Sequence, residues 1–294
     1  MQNFPLVSVI CLSYNHASFV EEALDSVMNQ TYANIELIIA DDCSSDNSKK
    51  VIDNWLKKHP NILFIPNSVN LGNTKTFNHA VKHAKGDYFI DLAADDILLP
   101  NCIENQIKKF QNSKYKNLGI VYGNLIEIDE NGNSIRNYYT EEDHPESGDI
   151  YKMVIGRTTK ICSVSSMIKK SVFEKLNYYD ENLAYEDLDL WVRAARVFDF
   201  EYIDELLACK RETPNSLSDH FLFKNNSKTK QLNLSTLKIL NNAYRLNKSK
   251  KEHQLLLGRI RFEMYKFFKA RNFILLFKLF LFGIKVKFKS LKIY

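Results

Sequence analysis

Short apolar runs alternate with helical patterns along the first hundred residues. Leu6–Leu12 is nearly continuous in apolar side chains, which is typical of a parallel strand covered on both faces. Ser18 and Glu21 follow with the spacing of a capping box at a helix start. The same order then repeats, with a strand at Ile35–Ala40, a helix at 51–56, a strand at Ile62–Ile65, a helix at Thr76–Ala84 and a strand at Tyr88–Leu92. The sequence therefore predicts an α/β fold with a Rossmann-like, mainly parallel central sheet flanked by helices.

Polar clusters follow three of these strands, at Ser13-Tyr14-Asn15, Asp41-Asp42 and Asp95-Asp96. Ligands of open parallel sheets bind beyond the carboxyl ends of the strands, so all three clusters point to one crevice. Adjacent carboxylates raise each other's pKa, and a divalent cation such as Mg²⁺ or Mn²⁺ is their natural counterion. Asp95-Asp96 is the best candidate for such a site. The alternative for Asp95-Asp96 is a cap on the following turn, and for Asp41-Asp42 an ordinary polar loop.

The pattern changes after residue 97. The expected elements are a helix from Pro100 to about Gln111, a strand at Ile120–Ile128 with a turn at Asn131-Gly132, a strand at Val164–Ile168 and a helix at Asp187–Val197. Residues 137–160 are polar and irregular, and we interpret them as a candidate acceptor-site loop.

Composition narrows the class of protein. A chain of 294 residues with 45% hydrophobic residues can bury a sizeable core in one large domain plus an appendage. Five scattered cysteines without a Cys-x-x-Cys pair favour a reduced, cytoplasmic compartment. The first apolar run is too short for a signal segment, so neither secretion nor an N-terminal anchor is expected.

Charge is distributed unevenly. Residues 245–294 contain fourteen lysines and arginines against two acids, whereas residues 1–244 carry a net charge of −7. The polar run Asn215–Lys230 marks the boundary, which predicts a catalytic domain at 1–225 and a helical, basic region at 226–294. The longest uncharged run of its apolar part is far too short to span a bilayer.

The basic region has the pattern of an amphipathic helix. Its cations recur at spacings that place them on one helix face, opposite aromatic and aliphatic bulk: Arg271, Lys278, Lys285, Lys289 and Lys292. This predicts peripheral attachment to an anionic membrane surface, on the inner face of the plasma membrane. The alternative is a helix packed on the catalytic domain or on a dimer partner.

An ordered set of motifs resembles the family 2 glycosyltransferases, which have the GT-A fold. The resemblance covers roughly residues 5 to 218. Its motifs are Val7-Ser-Val-Ile with Ser13-Tyr-Asn15, Ser26-Val-Met-Asn-Gln-Thr-Tyr32, Glu36-Leu-Ile-Ile-Ala-Asp-Asp-Cys-Ser-Ser-Asp46, Asn70-Leu-Gly72, Ala84-Lys-Gly-Asp-Tyr88, Ala94-Asp-Asp96 with Pro100, Tyr179-Asp-Glu-Asn182 and Glu186-Asp-Leu-Asp-Leu-Trp-Val-Arg193. Each motif alone is weak, but their order along one chain is specific.

The resemblance implies roles at a nucleotide-sugar site. Asp42 matches the residue that reads the uracil edge of a UDP donor, and Tyr14 matches an aromatic side chain stacked on the base. Asp95 would face the ribose, and Asp96 would bind Mn²⁺ or Mg²⁺. The sequence departs from the family at Ala93, where a first aspartate is usual, so metal binding would rest mainly on Asp96.

The resemblance also implies a base. Asp187 matches the carboxylate that takes the proton of the acceptor hydroxyl, which implies inversion of configuration, with Glu186 and Trp191 supporting the acceptor site. From the residues alone, Glu186 and Asp187 at a helix start are more simply partners of the helix dipole.

Two further departures from the family's pattern concern residues that would contact the phosphates of the donor. Phe77 occupies the position before Asn78 where many members have an arginine, so Lys75 would supply a phosphate contact instead. Arg211 would be a second phosphate ligand. Thr213, followed by Ser216, replaces a histidine often found near the diphosphate. The alternative for Lys75 and Arg211 is a solvated surface charge.

The expected function is an inverting, metal-dependent transfer of a hexose or N-acetylhexosamine from a UDP-sugar. The resemblance suggests a saccharide acceptor linked to polyprenyl diphosphate, in synthesis of a surface polysaccharide such as lipopolysaccharide O-antigen or capsule. The second hypothesis is a catalytically degenerate nucleotide-binding module of the same fold. Binding of nucleic acid through the basic region is disfavoured by the acidic body and the apolar tail. A dinucleotide-dependent enzyme is disfavoured because no Gly-x-Gly-x-x-Gly follows the first strand.

Overall fold

The computed structural model describes residues 4–156, 161–213 and 226–292. The chain forms two compact units. Unit 1 consists of Met1–Gly148, Ile161–Tyr179 and Phe198–Glu212, and unit 2 of Asp149–Lys160, Asp180–Val197 and Thr213–Tyr294. Residues 214–225, which include Ser216 and the predicted boundary at 225/226, lie outside the described part, so that boundary stays a prediction.

Unit 1 is built on a sheet of nine strands among its described residues. The strands are β1 (Val7–Ser13), β2 (Ile35–Asp41), β3 (Leu63–Pro66), β4 (Tyr88–Ala93), β5 (Ile97–Leu98), β6 (Leu118–Ile128), β7 (Ser134–Asn137), β8 (Ser166–Lys169) and β9 (Asp199–Arg211). Their order is β3-β2-β1-β4-β8-β6-β9-β5, and β7 pairs with β6. The first four strands run parallel, as predicted from their continuous apolar runs.

Register aligns the carboxyl ends of the parallel strands. Ser13 of β1 pairs with Asp41 of β2, and Leu12 pairs with Ala93 of β4. The polar residues that follow β1, β2 and β4 therefore lie at the same edge of the sheet. Gly86, just before β4, is required by close packing, because a Cβ there would lie 2.4 Å from the Ser8 hydroxyl oxygen.

Beyond β4 the sheet becomes mixed. β8 is antiparallel to both β4 and β6, β5 is antiparallel to β9, and β6 is parallel to β9. β6 and β7 form a hairpin at the predicted turn, where Gly132 has a φ of 84°. The short strands β5 and β7 carry too few apolar residues to be predicted from the sequence.

Helices of unit 1 cover the sheet and occur where the helical pattern predicts, except for the unpredicted α6. They are α1 (Val20–Met28), α2 (Ser48–Leu56), α3 (Asn73–Val81), α4 (Cys102–Gln111) and α6 (Lys170–Leu176). The predicted capping box is wrong: the N-cap of α1 is Phe19, without a side-chain bond. The N–H groups of Phe19 and Val20 donate instead to the carbonyl of His16.

Unit 2 is helical in its described residues. It contains α5 (Tyr151–Ile155), α7 (Asp187–Ala194), α8 (Ser227–Leu246), α9 (Lys250–Lys269) and α10 (Phe273–Lys292). α5 lies within the segment that the sequence predicts as irregular. Ser249 and Glu252 form a capping box at α9. The hydroxyl groups of Tyr185 and Thr236 are 2.9 Å apart and join the start of α7 to α8.

The C-terminal helices confirm the predicted helical region. None of the helices in the described ranges is long and apolar enough to cross a membrane.

Candidate active site

The loops after β1 and β2 are locked together. Asn15 has a left-handed φ of 58°, and its side-chain oxygen accepts hydrogen bonds from the N–H groups of Ser45, at 2.8 Å, and Asp46, at 3.4 Å. In the other direction, Ser48 Oγ accepts from the His16 N–H at 2.8 Å. These bonds fix the Ser13-Tyr14-Asn15 loop relative to the Asp41-Asp42 loop, as expected for one preformed site.

Asp42 organises a third loop. It is buried, and its Oδ1 accepts bonds from the N–H of Leu71 at 2.7 Å and from the side chain of Asn67 at 3.0 Å. Its Oδ2 accepts from the N–H of Gly72 at 2.8 Å. Gly72 has a φ of 85°, which favours glycine. A carboxylate has about four acceptor positions, so Asp42 retains room for one more donor.

Arg211, the last residue of β9, is hydrogen-bonded to the turn that carries Asp95 and Asp96. The N–H of Arg211 donates to Asp96 Oδ1 at 2.9 Å, and Arg211 Nε donates to the carbonyl of Asp95 at 3.0 Å. The same guanidinium donates to the carbonyls of Asp129 and Glu130 and to the Glu22 carboxylate. Arg211 is itself buried.

Arg211 makes most of its hydrogen bonds within the protein. Four of the five guanidinium N–H groups are used by protein oxygens. The side chain is therefore not a solvated surface charge, and it holds the turn that carries the carboxylates; its role as a phosphate ligand stays a prediction. The sequence could not show this because Arg211 lies 115 residues from Asp96.

Asp96 is in a desolvated position. Burial raises its pKa well above the usual range of an aspartate, and the neighbouring carboxylate of Asp95 raises it further. The backbone N–H of Arg211 and the ammonium group of Lys210 oppose this rise. A cation placed against Asp96 would relieve the penalty for its ionised form.

The donor set fits a divalent cation that binds together with a phosphate ligand. No cluster of three or more His, Cys, Asp or Glu side chains suited to a metal ion occurs in the part of the chain that the structure describes. Mg²⁺ and Mn²⁺ are commonly held by one or two carboxylates plus substrate phosphates and water. Asp96 and Asp95 supply the one or two carboxylates that such a site requires.

His16 is a residue that sequence reasoning did not select. Its Nε2 lies 3.7 Å from Asp95 Oδ2, and its Nδ1 is buried without a hydrogen-bond partner among the described residues. The sequence shows seven histidines without metal spacing, so only the fold identifies His16 as a neighbour of the carboxylate pair.

Tyr14 and Lys75 are accessible. Tyr14 is 46% exposed at the end of β1, which leaves its ring open to a planar ligand. Lys75 is exposed in the first turn of α3. Phe77 is fully buried against Phe173 and Tyr179, so the position where many members have an arginine belongs to the core in this chain.

The second group of predicted residues begins α7 in unit 2. Glu186 is the N-cap position, and Asp187 is the first helical residue. Asp187 Oδ1 accepts from the N–H of Leu188 at 2.6 Å. Burial raises the pKa of Asp187 above its usual range, and the positive charge of Arg259 partly opposes this.

Other side chains of α7 stabilise the helix. Trp191 is 1% exposed and is a core residue of unit 2, so its support of an acceptor site would be indirect. Asp189, which sequence reasoning passed over, pairs with Arg193 at 2.6 Å and accepts a bond from Asn242 at 3.3 Å. Asp187 is partly exposed, unlike Asp189.

Known proteins share this fold. A mannosyltransferase from Pyrobaculum calidifontis, solved in complex with GDP-Man and Mn²⁺, matches with a TM-score of 0.65 and 16% identity over 92% of this chain and 74% of that one. S. aureus TarS 1–349 in complex with UDP-GlcNAc matches with a TM-score of 0.59 and 15% identity, over 89% and 81% of the chains. These matches confirm the predicted GT-A fold.

Sequence comparison identifies the family. An uncharacterized glycosyltransferase of Methanocaldococcus jannaschii is 32% identical over 214 residues, which are 72% of either chain. Several rickettsial glycosyltransferases that match are longer, and this chain spans 30% to 64% of them. The family model described as Glycosyl transferase family 2 matches residues 8–176. The chain therefore belongs to glycosyltransferase family 2.

Proposed function

We propose that this chain transfers a hexose or N-acetylhexosamine from a UDP-sugar to a saccharide acceptor, with inversion and with help from Mn²⁺ or Mg²⁺. The observation that carries the proposal is the buried Asp96 carboxylate, held by the Arg211 N–H at the end of a parallel strand. A desolvated carboxylate at this place needs a cation, and a nucleoside diphosphate needs one too.

Uracil recognition is assigned to Tyr14 and Asp42. The half-exposed ring of Tyr14 would stack on the base. The remaining acceptor position of Asp42 would take the N3–H of uracil, while its other bonds hold Leu71 and Gly72.

The metal would be held by Asp96, with Asp95 beside it and directed at the ribose. Its contribution is to neutralise charge that builds on the leaving diphosphate. Lys75, exposed at the start of α3, would add a positive charge to the phosphates. Arg211 and His16 position the carboxylates.

Asp187 is assigned as the general base. The acceptor oxygen forms a bond to the anomeric carbon while the bond from that carbon to the diphosphate oxygen breaks, and the acceptor proton passes to the Asp187 carboxylate. Attack opposite the leaving UDP inverts the configuration. A raised pKa suits this role because it makes the carboxylate a stronger proton acceptor.

The acceptor class rests on the resemblance alone. We propose a saccharide linked to polyprenyl diphosphate, in synthesis of a surface polysaccharide such as O-antigen or capsule. Proteins of the same fold, solved with UDP-GlcNAc and with GDP-Man, support a nucleotide-sugar donor but differ in the base.

Calorimetric titration of UDP, GDP and CDP, each with Mn²⁺ and with EDTA, tests the donor site. UDP binding that requires the metal is the expected result, and release of UDP from UDP-sugars would then be assayed with candidate acceptors. Tighter binding of GDP would transfer the proposal to a GDP-sugar. Absence of binding by all three nucleotides would favour the degenerate module.

A further inference from the structure

Helix α10 exposes a continuous stripe of large apolar side chains. Eight of them are between 38% and 74% exposed: Phe273, Ile274, Phe277, Phe280, Leu281, Ile284, Phe288 and Leu291. With 3.6 residues per turn, these positions cover about 120° of the helix surface along its length. We call these eight residues the α10 stripe.

The α10 stripe is distinct from the face that packs inside unit 2. That face carries Leu279, Phe282 and Val286, all buried, and the Phe282 ring lies 5.7 Å from that of Tyr244 in α8. The packing of unit 2 therefore leaves the stripe uncovered by the described residues. Isolated exposed apolar residues are common, but a contiguous row along a whole helix marks an interaction surface.

The end of α9 extends the same surface. Phe268 is 57% exposed, and its ring centroid is 6.3 Å from that of Phe273 at the start of the stripe. Tyr265, one turn earlier, is 53% exposed. Aromatic side chains of this kind suit the boundary between hydrocarbon and water, where one side of the ring is wet.

Cations border the stripe. Helical geometry places Lys278, Lys285 and Lys289 between the stripe and the buried face, and Lys287 on the other side. The sequence predicts these cations opposite the apolar bulk. In the structure they lie beside the exposed stripe because the face opposite it is used for packing.

The described parts of α8, α9 and α10 carry no exposed acidic side chain. The two acidic residues of these helices, Glu252 and Glu263, are buried. Glu252 pairs with Arg196, and Glu263 pairs with Arg259 and Lys266. Their charges are used inside unit 2, so the charged groups that border the stripe are all positive.

We propose that the α10 stripe lies in the interface of an anionic lipid bilayer, parallel to its surface. An amphipathic helix binds there when its apolar face enters the acyl boundary and flanking lysines meet anionic headgroups. The helix carries five lysines and does not span. A second copy of this chain fits less well, because it would bring the same cations to the contact.

Vesicle co-sedimentation of the full chain tests the inference, with phosphatidylcholine alone and with about one quarter phosphatidylglycerol, at physiological salt. The chain is expected to bind the anionic vesicles much more tightly. A triple variant, Lys278→Gln, Lys285→Gln and Lys289→Gln, should lose about 100-fold in binding to them, since each cation near an anionic surface contributes about fivefold. Its binding to neutral vesicles should not change.

A stripe variant, Phe273→Gln, Phe277→Gln and Phe288→Gln, should lose binding to both kinds of vesicle. All three side chains are about 60% exposed, so folding should be preserved, and circular dichroism checks this. Matched controls are Lys49→Gln, Lys50→Gln and Lys58→Gln for charge, and Leu63→Gln, Ile135→Gln and Leu206→Gln for apolar exposure; they should bind like the parent.

Either of two kinds of result, one from vesicle binding and one from the oligomeric state, would overturn the inference. One is a parent chain that ignores anionic vesicles, or a folded stripe variant that binds as the parent does. The other is a lipid-free dimer by analytical ultracentrifugation that the stripe variant converts to monomer, which would assign the stripe to a second copy. Release of UDP in lipid-free solution measures the proposed function separately.

Discussion

The two groups of carboxylates are built differently. In unit 1, Asp42 and Asp96 receive hydrogen bonds from loops or strands far away in the sequence, as with the Arg211 N–H on Asp96. In unit 2, Asp187 is hydrogen-bonded by backbone N–H groups of its own helix start, those of Leu188 and of Asp187 itself. Both Asp96 and Asp187 have raised pKa values, mainly through burial.

This difference matches two kinds of chemistry. A group that positions a diphosphate and its cation gains from rigidity, because preorganised charges need no rearrangement during the reaction. A base must accept a proton and later release it, so hydrogen bonds to its ionised form lower its pKa and weaken it. The local N–H bonds of Asp187 have this effect too, but burial outweighs them, so its pKa stays raised.

The largest expected effect comes from Asp96→Asn. The variant should lose metal-dependent UDP binding and about 10⁴-fold of transfer, since a metal contributes several kcal/mol to stabilising the leaving group. Its measurement is UDP titration with Mn²⁺ and with EDTA, followed by turnover. Asp53→Asn, an exposed change on α2, serves as the control. Retention of metal-dependent binding by Asp96→Asn would contradict the assignment of the metal ligand.

Asp187→Asn should separate catalysis from donor binding. Loss of the base is expected to lower kcat by about 10³-fold, within the usual range for general-base catalysis. The dissociation constant of UDP should stay within about twofold, because Asp187 has no assigned role at the nucleotide. Steady-state kinetics and calorimetry on the same preparation measure both quantities. Normal turnover would remove Asp187 from the mechanism.

The variant Arg211→Lys tests whether Arg211 holds the Asp95-Asp96 turn in place, by its effect on the free energy of unfolding. Lysine lacks the planar fork that reaches Asp95, Asp129 and Glu22, so the free energy of unfolding should fall by about 3 kcal/mol. Metal-dependent UDP binding should weaken only severalfold, because the backbone N–H on Asp96 remains. Urea denaturation measures the first effect and calorimetry the second.

Arg136→Lys is the matched control for that change. Arg136 is also paired with a carboxylate, that of Glu127, but its side chain is 70% exposed. Exposed pairs contribute less than about 1 kcal/mol, so little stability should be lost. Equal losses in the two variants would show that Arg211 does not hold the Asp95-Asp96 turn.

Much of unit 1 is predictable because its signals are local. Continuous apolar runs give β1 to β4, and the polar residues after them must then meet at one edge. The bonds of Arg211 depend on the register of β9, where Arg211 pairs with Ile128 of β6. That register results from packing over long sequence distances, which no local pattern encodes.

At the start of α7, the sequence identifies the carboxylates but not their surroundings in the folded chain. Sequence identifies Glu186 and Asp187 as carboxylates at a helix start, and the structure confirms the start at Asp187. The burial that raises the pKa of Asp187, and the Arg259 charge that opposes it, come from residues brought together by folding. The burial of Trp191, which the resemblance implies as support for the acceptor site, is likewise visible only in the folded chain.

The smallest effect is a pH-dependent change in stability. In the unfolded chain Asp187 titrates near the ordinary aspartate value, and burial raises its pKa in the folded state. As pH rises between those two pKa values, the unfolded state loses its proton first, so the free energy of unfolding falls and stays lower above the window. Asparagine carries no charge and keeps the acceptor for the Leu188 N–H.

Asp187→Asn should therefore melt at a higher temperature than the parent at neutral pH, and the difference should shrink as pH falls through the raised pKa. Thermal melts at a series of pH values measure it, with Asp53→Asn expected to show no comparable trend because its side chain is exposed. A variant less stable than the parent at neutral pH would mean that ionised Asp187 is stabilised by the fold. The pKa of Asp187 would then not be raised by the fold, and its assignment as the base would lose its physical support.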